Sequence, residues 1–289
     1  METIFEPEKA HMVLHGLDGW LFLTNDTNKV IDQTTGRMQL TDKQIVSWDR
    51  IISERRRKLD GINCRYLMVI APNKESVRSD KLPIGVILSE SRPVRQLQRR
   101  GIDIFYRPDL LEDEDTYSKT DTHWSDKGGH LYAKALIQHI AGLGLKPRPI
   151  DNAHYTFSPA IHYGDLGRKL TPPTQSSFIQ KKMIERRSRV TENINGPRNT
   201  GKIIVMEGDD KSLPRAVIFG DSFCGVGSFC DFMAQSFSRT TFIWGTCLDH
   251  EFIGHEKPDI VISQMAERFL IRMPEEQICH ISMSHQGLS

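Results

Sequence analysis

Apolar positions in this chain form short continuous runs, and stretches of helical periodicity separate them. The run from Tyr66 to Ile70 precedes Ala71-Pro72-Asn73, a pattern that is typical of a buried strand followed by a loop. A second strand is predicted from Ile102 to Tyr106, and helix-compatible residues from Val94 to Arg100 lie between the two. The order strand, helix, strand predicts a parallel pair joined by a right-handed crossover.

Two longer segments predict amphipathic helices. The first begins at Thr41, which starts a capping-box pattern, and ends near Gly61. The second follows Ser125, a favourable N-cap residue. Its predicted buried stripe is Leu131, Ala135, Leu136 and Ile140. Upstream of both, the turn-forming residues within Gly16 to Leu23 predict a hairpin or an edge strand.

The last third of the chain repeats the alternation of strand and helix. Its predicted elements are strands Ala216 to Phe219, Thr241 to Trp244 and Asp259 to Ser263, and a helix near Ser228 to Phe237. This order predicts a doubly wound, mostly parallel α/β sheet with helices on both faces. From about 147 to 214, stretches rich in Pro, Gly and Thr interrupt the pattern and predict an irregular insertion. We interpret residues 1–289 as a single domain with this insertion.

Composition and charge exclude some partners. The 38 Lys and Arg residues nearly balance the 37 Asp and Glu residues, so the formal net charge is only +1. No overall field therefore attracts nucleic acid or anionic lipid, and we expect no nucleic-acid partner.

The sequence also bears on the compartment. No segment is long and apolar enough to cross a membrane, and the N-terminal residues lack the pattern of an export signal. On the sequence as given we expect a cytoplasmic protein, or a periplasmic one if an export signal has been removed. An odd number of scattered cysteines favours reduced thiols. The five are Cys64, Cys224, Cys230, Cys247 and Cys279.

A candidate nucleophile lies directly after the strand Ala216 to Phe219. Ser222 follows Gly220 and Asp221 and precedes a predicted helix. A tight turn at the carboxyl end of a parallel strand exposes such a hydroxyl, and ligands of open α/β sheets bind at these strand ends. A serine hydroxyl is nevertheless a weak nucleophile until an adjacent base takes its proton.

A candidate base lies just before the helix that Ser125 caps. Asp121 and His123 are two residues apart, so in extended backbone they point to the same side and the carboxylate can reach Nδ1 of His123. Nε2 is then left free to face a serine. Ser222, His123 and Asp121 together have the composition of a Ser-His-Asp relay.

Six segments in order resemble the alginate O-acetyltransferases and related SGNH-hydrolase-like acyltransferases, which modify bacterial polysaccharides. The segments are GLDGWLFL (16–23), APNKESVRSDKLP (71–83), DTHWSDKGG (121–129), GDLGRKL (164–170), FGDSF (219–223) and KPDIVISQMAERFL (257–270). In that family the Asp-x-His element precedes the serine, the reverse of ordinary SGNH esterases, and this chain has the reversed order.

The resemblance implies a fold, a reaction and partners. It implies an SGNH-like sheet, a triad of Ser222, His123 and Asp121, and transfer of an acetyl group through an acyl-serine to a hydroxyl of a polysaccharide or its sugar precursor. The acetyl donor would be acetyl-CoA or an acetylated partner protein in the membrane, with no bound cofactor or metal. The further candidates for oxyanion or substrate contacts are Asn73, Lys74 and Arg168.

Other interpretations of the same residues stay open. An esterase of the same fold would use water as the acceptor, and a catalytically silent glycan-binding protein would not need the nucleophile and its base. A Walker loop after Gly220 is disfavoured because Val226 stands where lysine is required. Cys224 and Cys230 are better explained as small buried residues. The cluster Asp249, His250, Glu251 and His255 does not have the spacing of a metal site.

The predicted insertion is unusually basic. Between Gly167 and Lys202, nine basic residues occur against only Glu185 and Glu192. The basic residues are Arg168, Lys169, Lys181, Lys182, Arg186, Arg187, Arg189, Arg198 and Lys202. They are either a solvated surface or a patch that borders the active-site cleft and faces an anionic glycan or a phosphorylated donor.

Overall fold

A six-stranded sheet lies at the centre of the fold. The coordinates are a computed structural model that describes residues 4–195, 201–225 and 228–274. The strands are β1 (Val13–His15), β2 (Leu21–Leu23), β3 (Arg65–Ala71), β4 (Tyr155–His162), β5 (Ser176–Met183), β6 (Ser188–Ile194), β7 (Ile203–Gly208), β8 (Arg215–Gly220), β9 (Arg239–Trp244) and β10 (Ile260–Ala266). The helices are α1 (Val30–Thr34), α2 (Asp42–Asp60), α3 (Lys74–Val77), α4 (Pro93–Arg99), α5 (Asp126–Gly142), α6 (Gly164–Gly167), α7 (Ser222–Gly225), α8 (Phe229–Ala234) and α9 (His250–Glu256).

The sheet is mostly parallel, as predicted. Strands β3, β10, β8 and β9 pair in parallel, whereas β7 and β6 add to the β9 edge in antiparallel orientation. Ala266 lies opposite Ala71, and Ser263 lies opposite Phe219. The carboxyl ends of three neighbouring strands are therefore nearly level, and the loops that follow them meet at one edge.

Side chains alternate between two hydrophobic layers, one on each face of the sheet. In β8, Ala216 and Ile218 pack with residues of α5 and α8, whereas Val217 and Phe219 pack with residues of α2 and α4. Successive residues of a strand point to opposite faces, so each strand supplies side chains to both layers. Helices on both faces explain why the parallel strands read as continuous apolar runs.

Both long helices begin where the sequence predicts. Thr41 caps α2 with a complete capping box, and the Ser125 hydroxyl accepts a hydrogen bond from the amide N–H of Gly128 in α5. The buried stripe of α5 is rotated from the prediction, since Leu131 and Ala135 are only half-buried. Helix α5 packs against α8 as well as the sheet, and this second contact broadens its buried face. The fully buried stripe comprises Tyr132, Ala133, Leu136, Ile137 and Ile140.

The predicted strand from Ile102 to Tyr106 is reduced to a single parallel bridge. Phe105 lies opposite Val69 of β3, with hydrogen bonds on both its N–H and its C=O. This segment is the outer edge of the sheet, and Pro108, which cannot donate to a ladder, follows closely. The predicted hairpin is confirmed, because β1 and β2 pair in antiparallel orientation.

The segment from 147 to 214 is more regular than predicted. Its strands β4 and β5 form a separate antiparallel ribbon, while β6 and β7 extend the central sheet. Half of the predicted insertion therefore completes the central sheet, and the ribbon packs against α5. No helix in the described ranges is long and apolar enough to span a bilayer.

The cysteines follow the prediction in part. Cys64, Cys224 and Cys230 are free and buried, as expected for small apolar residues. Cys247 is instead disulfide-bonded, so the expectation of reduced thiols does not hold for it. Cys279 lies outside the described residues.

Candidate active site

The turn that carries Ser222 is held on both sides. Strand β8 ends at Gly220, and Ser222 begins α7. A Cβ at Gly220 would lie 2.9 Å from Oε1 of Gln264, so close packing requires glycine here. The Asp221 carboxylate accepts hydrogen bonds from the N–H groups of Phe223 (2.9 Å) and Ala266 (2.6 Å). These contacts fix the backbone on which the serine stands.

His123 joins Ser222 to Asp121. Its Nε2 lies 2.8 Å from Oγ of Ser222, and its Nδ1 lies 2.8 Å from Oδ1 of Asp121. The backbone N–H of His123 also donates to that carboxylate oxygen at 2.9 Å. The two hydrogen-bond contacts expected from the two-residue spacing are thus present. In this arrangement Asp121 orients the imidazole, whose free nitrogen can accept the proton of the serine.

A second carboxylate, which the sequence analysis did not single out, holds the Asp121 loop. The amide N–H of Asp165 donates to Oδ2 of Asp121 (3.1 Å), and its carboxylate accepts from the N–H (2.7 Å) and hydroxyl (2.6 Å) of Thr122. Gly164 precedes it with φ +63°, and a Cβ there would lie 2.2 Å from the Thr120 carbonyl oxygen. The available signal was the GDLGRKL segment, whose Gly-Asp pair makes these contacts.

Electrostatics keep Asp121 ionised and raise the basicity of the imidazole. Burial lowers the pKa of His123, but the hydrogen bond and charge of Asp121 outweigh burial and leave that pKa above the ordinary histidine value. Burial likewise raises the pKa of Asp121, and its contacts with His123 outweigh burial and hold it well below the usual range. The carboxylate therefore stays ionised while the imidazole gains basicity.

Lys74 is a structural residue and not the substrate contact that we predicted. Its side chain is 1% exposed, and its ammonium donates hydrogen bonds to the carbonyls of Ser118 (3.2 Å), Lys119 (3.1 Å) and Asp121 (2.6 Å). Burial lowers its pKa to about 8. A charge committed to three backbone carbonyls beneath the loop cannot also meet an anionic substrate. The sequence suggested exposure because lysine is rarely buried unless it is paired.

Replacing Lys74 with methionine should therefore weaken the loop and not substrate recognition. The change leaves three carbonyl groups without their donor, and we expect a loss of roughly 2–4 kcal/mol in the free energy of unfolding. We expect kcat to fall and KM for anionic and neutral acceptors to change equally. Chemical denaturation and acceptor kinetics would measure both, with the exposed Lys182→Met as a control. A KM increase confined to anionic acceptors would restore Lys74 as a substrate contact.

Asn73 lies at the strand ends, where an oxyanion donor is required. It follows β3 and is 3% exposed, and its backbone N–H donates to Oε2 of Glu267 at 3.0 Å. Its side-chain Oδ1 accepts from the N–H of Arg268 at 3.3 Å. These two contacts orient the amide, and its role as a donor stays a prediction.

Arg168 lines a cavity together with Asp121. The cavity has a volume of about 360 Å³ and is also lined by Ile161, His162, Tyr163, Gly164 and Gln175. Nε of Arg168 has no hydrogen-bond partner among the described residues. Among the described residues of the basic segment, only Arg168 lines the cavity, and its contact with substrate stays a prediction.

Four other basic side chains in the described part of this segment form ion pairs with neighbouring carboxylates. Lys181 and Arg186 both pair with Asp231, Arg187 pairs with Glu185, and Lys169 pairs with Glu6. His162 pairs with Ser176 at the end of the ribbon that borders the cavity, and Tyr155 pairs with Met183 at the other end. Arg186 follows Met183, so it lies at the end roughly 20 Å away from the cavity. Arg186 and Arg187 therefore do not line this cavity, whereas Arg168 of the same basic segment does. Arg198 lies outside the described residues.

The interpretations as a cysteine nucleophile and as a metal site find no support in the described geometry. Cys224 is buried, and burial raises the pKa of its thiol. Asp249 caps α9 by accepting from the N–H of Phe252. Asp121, His123 and Asp165 lie close enough to hold an ion. Both ring nitrogens of His123 are already engaged by Asp121 and Ser222, however, so we assign no metal to this group.

A mostly parallel sheet with a serine at one strand end, faced by a histidine and a carboxylate, has the arrangement that serine-dependent hydrolases and acyltransferases use. The family model described as SGNH hydrolase-like domain, acetyltransferase AlgX, matches residues 13–242. The chain therefore belongs to the AlgX family of SGNH-hydrolase-like acetyltransferases, which confirms the resemblance. No curated protein sequence is significantly similar to it.

Solved structures share the fold at low sequence identity. The O-acetyltransferase domain of Pseudomonas putida AlgJ is 16% identical with a TM-score of 0.61, covering 95% of this chain and 98% of its own. Bacillus cereus PatB1, solved with a sulfonyl adduct, is 16% identical with a TM-score of 0.56, covering 89% and 95%. Pseudomonas aeruginosa AlgX is 14% identical with a TM-score of 0.52, covering 88% of this chain and 61% of its own.

Proposed function

We propose that this protein is an O-acetyltransferase that moves an acetyl group through an acyl-Ser222 intermediate to a hydroxyl of a polysaccharide or its sugar precursor. The observation that carries the proposal is the hydrogen-bonded line from Ser222 through His123 to Asp121, at 2.8 Å for each contact. Membership of an acetyltransferase family supports acetyl as the group that is transferred.

The first half-reaction loads the serine. Nε2 of His123 takes the proton of Ser222, and Oγ forms a bond to the acetyl carbonyl carbon while the carbonyl electrons move to its oxygen. The tetrahedral intermediate then expels the donor's oxygen or sulfur, which leaves with the proton from His123. The ionised Asp121 stabilises the imidazolium during this step. The product is acetyl-Ser222 with a neutral imidazole.

The second half-reaction transfers the acetyl group from Ser222 to the acceptor. A sugar hydroxyl attacks the acetyl carbon, His123 takes the hydroxyl proton, and Ser222 leaves and regains that proton from the imidazolium. Asn73 is the proposed amide donor to the negative oxygen in both halves, and Arg168 is a proposed acceptor contact at the cavity. The donor, acetyl-CoA or an acetylated membrane partner protein, stays a prediction.

The decisive experiment follows the acetyl group. The protein would be incubated with p-nitrophenyl acetate, and intact mass and peptide mapping would locate the acetyl group. We expect a transient acetyl group on Ser222 and its transfer to a defined oligosaccharide at a rate above hydrolysis. Hydrolysis alone in the presence of acceptor would identify an esterase. Absence of both acylation and turnover would identify a glycan-binding protein.

A further inference from the structure

One buried cation at the strand ends has no role in the proposed acetyl transfer. Arg268 follows β10 and is 8% exposed. No hydrogen bond or ion pair reaches its guanidinium from the part of the chain that the structure describes. Its backbone does make contacts, since its C=O accepts from Gln33 and its N–H donates to Asn73.

The other buried arginine and lysine side chains in the described ranges are all paired. Arg92 pairs with Glu267 at 3.2 Å, and Arg78 donates to the Glu112 carbonyl at 2.6 Å. Arg55, Lys74 and Lys169 also donate to oxygen atoms. Removing a cation from water is costly unless it finds partners. Arg268 departs from this rule within the described residues, so the N–H edge of its guanidinium is available to a ligand.

Aromatic rings fix where that edge lies. The guanidinium carbon of Arg268 is 5.3 Å from the ring centroid of Phe223 and 5.0 Å from that of Phe269. Cation–π contacts of this kind hold the guanidinium while leaving its in-plane N–H donors unused. Phe223 directly follows Ser222, and its ring centroid lies 5.0 Å from that of the His123 ring.

The topology places Arg268 between the nucleophile and the proposed amide donor. Strand β10 lies between β3, which Asn73 follows, and β8, which Ser222 follows. Ala266 is level with Ala71, and its N–H binds the Asp221 carboxylate beside Ser222. Arg268 therefore follows the strand that neighbours the one ending at Ser222, at the edge of the sheet where ligands of open α/β sheets bind.

We propose that Arg268 is a further catalytic residue, whose guanidinium donates hydrogen bonds to the acyl oxygen of the tetrahedral intermediate. This inference rests on the proposed acyl-serine chemistry. When Ser222 adds to the carbonyl carbon, the carbonyl electron pair becomes a full charge on oxygen, and a fixed cation stabilises that charge more than the neutral ester. On collapse the pair returns to the carbonyl as the leaving group departs.

The test uses substrates without any anionic group. For Arg268→Met we expect kcat/KM for p-nitrophenyl acetate, and the rate of Ser222 sulfonylation by methanesulfonyl fluoride, to fall by about 100-fold or more. The melting temperature should stay unchanged or rise, because the variant removes an unpaired buried charge. A purely structural arginine would instead lower the melting temperature. Arg95→Met is the matched control, since Arg95 contacts Tyr106 on the opposite face of the sheet.

A second variant keeps the proposal testable if methionine prevents folding. Arg268→Lys retains the charge without the planar fork, and we expect intermediate rates with both probes. Rates within threefold of the unmodified protein for Arg268→Met, or for Arg268→Lys if the methionine variant does not fold, would overturn the proposal. A loss that occurs only with an anionic acceptor would also overturn it and make Arg268 a substrate contact. Failure of the unmodified protein to react with the sulfonyl probe would instead contradict the proposed function.

Discussion

Replacing Ser222 with alanine is expected to lower kcat for acetyl-ester turnover by roughly a million-fold while leaving the fold intact. The Ser222 hydroxyl has no structural role in its described contacts, because its hydrogen bond, at 2.8 Å, is to the base His123. Removing it therefore deletes the group to which the acetyl bond would form. Initial rates with p-nitrophenyl acetate, together with thermal unfolding, would measure both quantities.

A second serine–histidine pair provides the matched control. Oγ of Ser118 lies 2.8 Å from Nε2 of His162, the same distance as in the proposed site. Ser118 is 1% exposed, and its hydroxyl also contacts the hydroxyl of Ser176, so it cannot reach a substrate. We expect Ser118→Ala to keep turnover within about tenfold, as for loss of one neutral hydrogen bond. Turnover lost in Ser118→Ala and retained in Ser222→Ala would reverse the assignment.

Replacing Asp121 with asparagine is expected to lower kcat by about 10⁴-fold. An amide can donate to Nδ1 of His123, which would place the imidazole proton on Nε2, where the serine proton must be accepted. The protein should still fold, because asparagine has the same shape and can keep the contact with the Asp165 N–H. Single-turnover kinetics would measure the chemical step directly.

The same variant should change the pH dependence in a defined direction. The base His123 acts when neutral, and Asp121 raises its pKa, so activity is lost as pH falls through a pKa above the ordinary histidine value. Asp121→Asn removes that effect and should move the acid limb of kcat/KM to lower pH. The charged groups facing the imidazole also include Asp165 and Arg268. An acid limb that does not move would mean that Asp121 does not control the base.

Local features of the site could be predicted from sequence. Asp121 and His123 meet because two-residue spacing in extended backbone brings side chains to one side, which needs no distant contact. Ser222 could be placed because the run Ala216 to Phe219 marks a buried strand, and a reactive serine requires the turn after it. The resemblance carried by the six family segments then predicted that Ser222 and His123 belong to one site, although they lie 99 positions apart in the sequence.

Long-range contacts decided the rest. Sequence patterns indicate that charged residues are solvated, yet Lys74 and Arg55 are buried because distant carbonyls and hydroxyls accept from them. The pairing of β6 and β7 with the central sheet depends on register across the chain, which a Pro- and Gly-rich composition does not reveal.

Arg268 is the clearest case of what only the tertiary structure decided. The sequence shows it as one of many arginines, within a segment that the resemblance matched without assigning it a role. Its burial, the lack of an ion pair to its guanidinium among the described residues and its place between Asn73 and Ser222 arise from three parallel strands that end at nearly one level. Sequence determined which groups could react because that depends on local chemistry. The tertiary structure determined which charges stand beside them, because burial and charge pairing depend on residues far apart in the chain.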